Sequence, residues 1–261
     1  LNISDLNKED FLQIMNYANS INITNDNCLE NKNIGLIFEK NSTRTRLSFQ
    51  VGIKQLSGNF IDIKLDELNL QRIESFEDTF EIMSCYLDAL VFRTTDHKKL
   101  DLASKYFNKP IINALSDLSH PCQAISDIYT LSDHFQKEDD FKIVWCGDLN
   151  NVLFSLMESI EFLDYSKIDI FTDKKIYEAN YDNFIKSDKI SYHFEFDDKI
   201  LHSADCIMTD VFNSMNDKED KERVLSKYKV NEELMKKTSD SAVFMHCLPA
   251  KIGSEVTNEV I

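Results

Sequence analysis

The stretch Ile34-Gly35-Leu36-Ile37-Phe38-Glu39-Lys40-Asn41-Ser42-Thr43-Arg44-Thr45-Arg46 decides how the fold is read. Its first five residues form an apolar run of strand length. Beyond it, Leu47, Val51, Ile53 and Leu56 recur roughly at helical spacing. Residues 42–45 therefore stand where a strand hands over to a helix. A helix start offers unpaired backbone N–H groups and the positive end of the helix dipole. A serine, two threonines and two arginines at that point make a site for a doubly charged oxyanion, most simply phosphate. The plainer reading is an N-cap serine followed by a solvated basic turn. The polar clusters further along the chain weigh against it.

Working outward, the same alternation repeats. Residues 8–21 read as an amphipathic helix, 58–63 as a second strand, and 75–86 as a helix. Residues 89–92 read as a third strand, 100–107 as a short helix and 110–113 as a fourth strand, with a polar, exposed loop at 64–72. A longer helix at 120–135 connects to a second series. There, strands at 142–146, 168–171, 206–209 and 242–245 accompany a helix ending near 163, and 174–189 is too polar to assign. Strands alternating with helices predict α/β architecture: two open parallel-sheet domains with helices on both faces, spanning residues 1–134 and 135–261. Ligands of such sheets sit at the carboxyl ends of the strands. Each polar cluster falls there: 42–46, 93–94, 120–123, 148–151, 210–215 and 246–249. An active site in the cleft between the two domains is the expectation.

Composition narrows the class of ligand. The net charge is −16, which disfavours nucleic acid and anionic membrane surfaces and makes the cationic 42–46 turn stand out. Six scattered cysteines without a CxxC pair argue for reduced thiols and a cytoplasmic setting. No apolar run reaches the roughly 20 residues a membrane helix needs, and no signal-peptide pattern opens the sequence.

His120-Pro121-Cys122-Gln123 opens a helix. It reads equally as a capped start or as a pair of ligand groups, with His120 donating to a carbonyl oxygen and Gln123 holding an amide. Arg93 clamps the same oxygen or a phosphate, or simply snorkels from a strand end. Gly147-Asp148-Leu149-Asn150-Asn151 resembles a dinucleotide turn but lacks its second and third glycines, so a nicotinamide cofactor is not expected. An asparagine pair there suits an amino acid's α-carboxylate and α-amine. Asp210 ends a strand and can accept from a substrate ammonium. His246 and Cys247 are adjacent on a strand and point to opposite faces, so Cys247 is expected to act as a proton-handling neighbour of an amine rather than as an activated nucleophile. Histidine spacing gives no metal site.

In their order and rough spacing, Ser42-Thr43-Arg44-Thr45-Arg46, Phe92-Arg93-Thr94, His120-Pro121-Cys122-Gln123, Asp210 with Ser214-Met215, and His246-Cys247-Leu248-Pro249 resemble the carbamoyltransferases from about Ile3 to the last residue. The last motif, followed by Glu255-Val256-Thr257, is similar to the ornithine branch. The resemblance implies a carbamoyl-phosphate-binding first domain and an ornithine-binding second domain. It implies that Ser42, Thr43, Arg44 and Thr45 bind the phosphate of carbamoyl phosphate, that Arg93 and His120 with Thr45 hold its carbonyl oxygen, and that Gln123 holds its amide nitrogen. It further implies that Asn151, Asp210, Ser214 and Met215 bind L-ornithine, with Cys247 and Leu248 beside the δ-amine. Arg93, His120, Asp210 and Cys247 would be the catalytic group. No metal or cofactor is implied. The implied assembly is a homotrimer or a multiple of trimers, with Asn69 reaching a neighbouring subunit's site. A C-terminal helix bearing an arginine for carbamoyl phosphate is also implied, beyond residue 261. Departures are Asn216 in place of a glycine, Asn69 in place of a glutamine or histidine, and Lys251-Ile252-Gly253 in place of His-Arg-Gly. Alternatives are a relative using acetylornithine, succinylornithine or putrescine, and a catalytically idle binding homologue.

Overall fold

The computed structural model describes residues 1–21, 25–67, 74–180, 185–213 and 220–261. The chain divides into two units, Leu1–Cys122 and Gln123–Ile261. The sequence put the division after residue 134.

The first unit carries strands β1 (Asn33–Phe38), β2 (Asn59–Ile63), β3 (Ala89–Arg93) and β4 (Ile111–Leu115), all parallel, in the order β2-β1-β3-β4. Its helices are α1 (Lys8–Ser20), α2 (Arg44–Gln55), α3 (Phe76–Tyr86) and α4 (His97–Tyr106). Side chains alternate across a strand, so β1 serves two cores. Ile34 and Leu36 pack with Ile53 of α2, while Ile37 packs with Phe80 and Met83 of α3 and Leu100 of α4. Burying one such side chain contributes about 1.5–3 kcal/mol. Local chemistry sets the helix starts. Asn7, Ser75 and Asp96 each accept a backbone N–H from the first turn of α1, α3 and α4. The Asp96 cap starts α4 at His97, three residues before its apolar pattern becomes visible.

The helical spacing expected after Arg46 is present, but its four apolar residues do not form one stripe. Ile53 is buried, whereas Leu47 and Val51 are 53% and 51% exposed. Val51 and Ile53 are two residues apart, about 200° around a helix, so they face opposite ways.

The second unit carries β5 (Lys142–Cys146), β6 (Lys167–Phe171), β7 (Ile190–His193), β8 (Cys206–Thr209) and β9 (Val243–His246), all parallel, in the order β7-β6-β5-β8-β9. Helix α5 (Pro121–Phe135) begins at the boundary. It is followed in the chain by α6 (Asn151–Glu161), α7 (Lys174–Asn180), α8 (Asp198–Ser203), α9 (Glu222–Leu225) and α10 (Glu232–Met235). Val144, Cys146 and Ile207 from the sheet pack with Leu201 of α8, Phe212 and Tyr228. No helix among the described residues is long and apolar enough to cross a membrane.

One carboxylate ties two loops of this unit together. Asp139 accepts from the backbone N–H groups of Asp164, Tyr165 and Ser166 and from the Ser166 hydroxyl at 2.6 Å. Partial burial pushes its carboxyl up, but these donors outweigh that effect and hold it below its unfolded value of 3.8. A depressed carboxyl contributes stability above the unfolded value and loses it as pH falls through the folded one. Asp139→Asn is expected to cost about 1–3 kcal/mol in urea unfolding at neutral pH. The variant and the parent should converge in acid; a gap that persists there contradicts the carboxylate clasp.

Candidate active site

Both sheets have a topological switch point, where successive crossovers leave a strand in opposite directions and open a crevice at its carboxyl end. In the first unit it lies between β1 and β3, whose register sets Phe38 beside Arg93. From Phe38 the chain turns through residues 39–43 into α2. Arg93 Nη1 donates to Ser42 Oγ at 3.1 Å and to Thr45 Oγ1 at 3.0 Å. Ser42 and Thr45 are thus brought onto one guanidinium from opposite sides of the helix start. Thr43 is the N-cap residue but makes no side-chain cap bond, and Thr43 and Arg44 are exposed. The N-cap serine of the plainer reading is absent here. Arg46 is committed elsewhere, pairing with Asp62 of β2 at 2.7 Å.

His120 follows β4 and is 8% exposed. Burial, and the nearby charge of Arg93, hold its imidazole down at about 4. It is neutral at pH 7, so one ring nitrogen carries a proton to donate and the other does not. Glu39, which no motif singles out, braces the strand end. It accepts from Thr94 Oγ1 at 2.5 Å and from the Thr95 N–H at 3.2 Å, and pairs with Lys99 at 2.5 Å.

In the second unit the switch point lies between β5 and β8. The Thr209 hydroxyl donates to the Cys146 carbonyl at 2.6 Å and ties the two strand ends. Gly147 turns the chain with φ of 127°, and a Cβ there would lie 2.8 Å from the Phe212 ring. Asn150 caps α6 by accepting from Val152 and Leu153 N–H groups, both at 3.1 Å, while its Nδ2 donates to Asp210 Oδ2 at 2.8 Å. Asn151, the sequence candidate, is the first residue of α6 and half-buried. Asp210 is buried, and its Oδ1 accepts from the Cys247 thiol at 3.1 Å.

The register of β8 on β9 pairs Thr209 with His246, which carries Cys247 to Asp210. His246 bonds to groups other than the thiol: its Nδ1 accepts from Leu248 N–H at 2.9 Å and its Nε2 lies 3.3 Å from Glu255 Oε1. Leu248 adopts a left-handed backbone, φ 54°, a conformation that costs a residue with a Cβ about 1–3 kcal/mol. Burial first, then the charge of Asp210, its hydrogen bond and the charge of Asp127, push the Cys247 thiol far up. It is a protonated donor, not a thiolate nucleophile.

One α5 residue escaped the sequence reading. Asp127, one turn after Gln123, is 5% exposed and accepts from Gln123 Nε2 at 2.9 Å. Burial pushes its carboxyl up to about 7, helped by Asp210 and opposed by Gln123 and His246. Ser214, Met215 and Asn69 lie outside the described residues. Among the described residues, Asp210, His246 and Cys247 offer donor atoms within 4.8 Å of one another, a grouping that histidine spacing could not reveal. The thiol's proton bonded to Asp210 makes it a poor metal ligand as it stands.

Comparisons with known proteins point to one family. The profile of the carbamoyl-P binding domain of the aspartate/ornithine carbamoyltransferases matches residues 1–133, and that of their Asp/Orn binding domain matches residues 139–261. The chain belongs to the aspartate/ornithine carbamoyltransferase family. Among its relatives, an ornithine carbamoyltransferase of Rhizobium johnstonii is 39% identical over 91% of this chain and 79% of its own length. One from Methanococcus aeolicus is 36% identical over 100% of this chain and 90% of its own. Among solved structures, ornithine carbamoyltransferase from Pyrococcus furiosus superposes with a TM-score of 0.84 at 34% identity, covering 99% of this chain and 87% of that one. The anabolic enzyme of Campylobacter jejuni gives 0.86 at 31% identity, covering 100% and 89%.

A carboxyl raised by burial binds its proton more tightly when folded, so its contribution is present below the unfolded value and lost as pH rises through the folded one. For Asp127 that window runs from 3.8 to about 7. Asp127→Asn is expected to gain melting temperature on the parent progressively across this window and to level off above it. A difference independent of pH contradicts a buried acid at this position.

Proposed function

We propose that the chain transfers the carbamoyl group of carbamoyl phosphate to the δ-amine of L-ornithine, giving L-citrulline and phosphate for arginine biosynthesis, as a cytoplasmic homotrimer or multiple of trimers. The observation that carries this reading is the Arg93 guanidinium bonded to both Ser42 and Thr45 hydroxyls at a helix start. That arrangement suits an acyl phosphate: the turn with Ser42, Thr43, Arg44 and Thr45 takes the phosphate, and Arg93 with Thr45 and neutral His120 takes the carbonyl oxygen. Gln123 takes the carbamoyl nitrogen.

The amino acid falls to the second unit. Asn151, Asp210, Ser214 and Met215 hold it, with Cys247 and Leu248 beside its δ-amine. The uncharged amine attacks the carbonyl carbon, a C–N bond forms, and the carbonyl oxygen takes up negative charge. Collapse breaks the C–O bond to phosphate, and the nitrogen loses a proton. Arg93, His120 and Thr45 are donors aimed at that oxyanion, each worth about 3 kcal/mol or a hundredfold in rate. Asp210 is an acceptor for the amine, and the protonated Cys247 orients Asp210 rather than attacking. No step requires a metal or cofactor. Exposed Leu47 and Val51 of α2 and Ile61 of the edge strand β2 support a subunit contact on the first unit.

A colorimetric assay for the ureido product should show turnover with ornithine and none with acetylornithine, succinylornithine or putrescine. Asn216 and Ile252 make that comparison worth running in full. Absence of turnover with ornithine overturns the reading, and carbamoyl phosphate binding without carbamoylation of any amine marks an idle homologue. Arg93→Ala should lower kcat about a hundredfold. Arg44→Ala should weaken carbamoyl phosphate, and Asp210→Ala should raise the KM for ornithine, each roughly tenfold or more. Equal effects of these last two on carbamoyl phosphate affinity contradict the division of labour.

A further inference from the structure

A primary amide presents two opposite faces, a donor NH2 and an acceptor oxygen, and rotation by half a turn exchanges them. A glutamine that recognises a ligand by one face therefore needs something behind it that forbids the other. Gln123 has such a partner. Its Nε2 donates to Asp127 Oδ1 at 2.9 Å, four residues along α5, where side chains share one side of the helix. Asp127 is almost fully buried, and its Oδ2 has no hydrogen-bond partner among the described residues. The carboxyl is thus held behind Gln123 by a single bond, on a helix flank that also buries Ala124, Ile128 and Leu131 and lies within electrostatic reach of Asp210 and His246.

We propose that Asp127 is a positioning residue that fixes the polarity of the Gln123 amide, engaging its NH2 end and leaving the carbonyl end to accept from the amino group of the carbamoyl donor. The proposal rests on the assignment of Gln123 to the carbamoyl nitrogen. It does not rest on the titration of Asp127, because Oδ1 accepts from Gln123 whether or not Oδ2 carries a proton. An acceptor is the group required, since a carbamoyl nitrogen has protons to give and no lone pair to share. With the carboxyl removed, either face of Gln123 can turn outward, and half of the arrangements set NH2 against NH2.

The test uses a pair of donors differing only in the group Gln123 reads. Acetyl phosphate keeps the phosphate and carbonyl and replaces the amino group by a methyl. The parent protein should bind carbamoyl phosphate more tightly than acetyl phosphate by roughly tenfold or more. Gln123→Ala should abolish that preference. Asp127→Leu, matched in shape, should reduce it nearly as far, and the double variant should lose no more than Gln123→Ala alone. Asp127→Asn, whose amide can turn either its oxygen or its NH2 towards Gln123, should recover the preference only in part. Inorganic phosphate affinity should be unchanged throughout. Asp127→Ala serves in place of Asp127→Leu if the larger side chain prevents folding. A preference that survives in the apolar variant overturns the proposal. So does a uniform loss of affinity for carbamoyl phosphate, acetyl phosphate and phosphate, which marks a merely structural role. Failure of the underlying assignment looks different: the parent itself shows no preference, or Gln123→Ala leaves it intact.

Discussion

The parallel register of β1 on β3 is the constraint from which the first unit's chemistry follows. It sets Phe38 level with Arg93, and the turn after Phe38 then has only a few residues in which to reach α2. A guanidinium rising from the neighbouring strand end meets that turn and bonds two of its hydroxyls. Slip the pairing by one residue and Arg93 points to the other face, leaving a helix start with no cation behind it. The Glu39 braces to Thr94, Thr95 and Lys99 guard this alignment from the far side of the same strand end.

The second unit uses the same geometry with opposite chemistry. Its switch point, between β5 and β8, carries an acidic and amidic cluster instead of a basic and hydroxylic one. Asn150 is the joint, since it caps α6 and holds Asp210 with the two ends of one side chain. Two sheets of similar build thus carry contrasting clusters, one cationic and rich in hydroxyls, the other acidic and amidic. In a chain of net charge −16 the first is the harder to build, because the global field opposes it. A fixed guanidinium and a helix start do so locally.

How much of this was legible depends on what kind of signal each residue left. Strand-turn-helix alternation is a periodicity signal, and it gave both sheets. The exception is β7, a four-residue edge strand with one buried side chain, too short for a pattern. The candidate residues at strand ends are legible because polar groups are conspicuous after apolar runs: Ser42, Thr45, Arg93, His120, Asp210 and Cys247 all stand out as candidates this way. Residues that act on other residues do not. Asp127 looks like one more charge on an amphipathic helix until Gln123 is seen bonded to it. Asn150 stood out only as half of an asparagine pair, and its bond to Asp210 is visible in the structure alone. Glu39 gave no signal for the same reason, since its partner Lys99 lies far away in the chain. Leu47 and Val51 misled because spacing alone does not say which side of a helix is covered.

The half-buried, proton-bearing state of Cys247 has a bearing on chemical durability. Peroxides and alkylating electrophiles react with the thiolate, and a sulfur whose ionisation is suppressed by burial and by a carboxylate neighbour offers them almost none. A cysteine set beside Asp210 can therefore serve as a soft hydrogen-bond donor without becoming the molecule's weak point under oxidative stress. The sulfurs of Cys28 and Cys85 are exposed, and oxidants are expected to act there first.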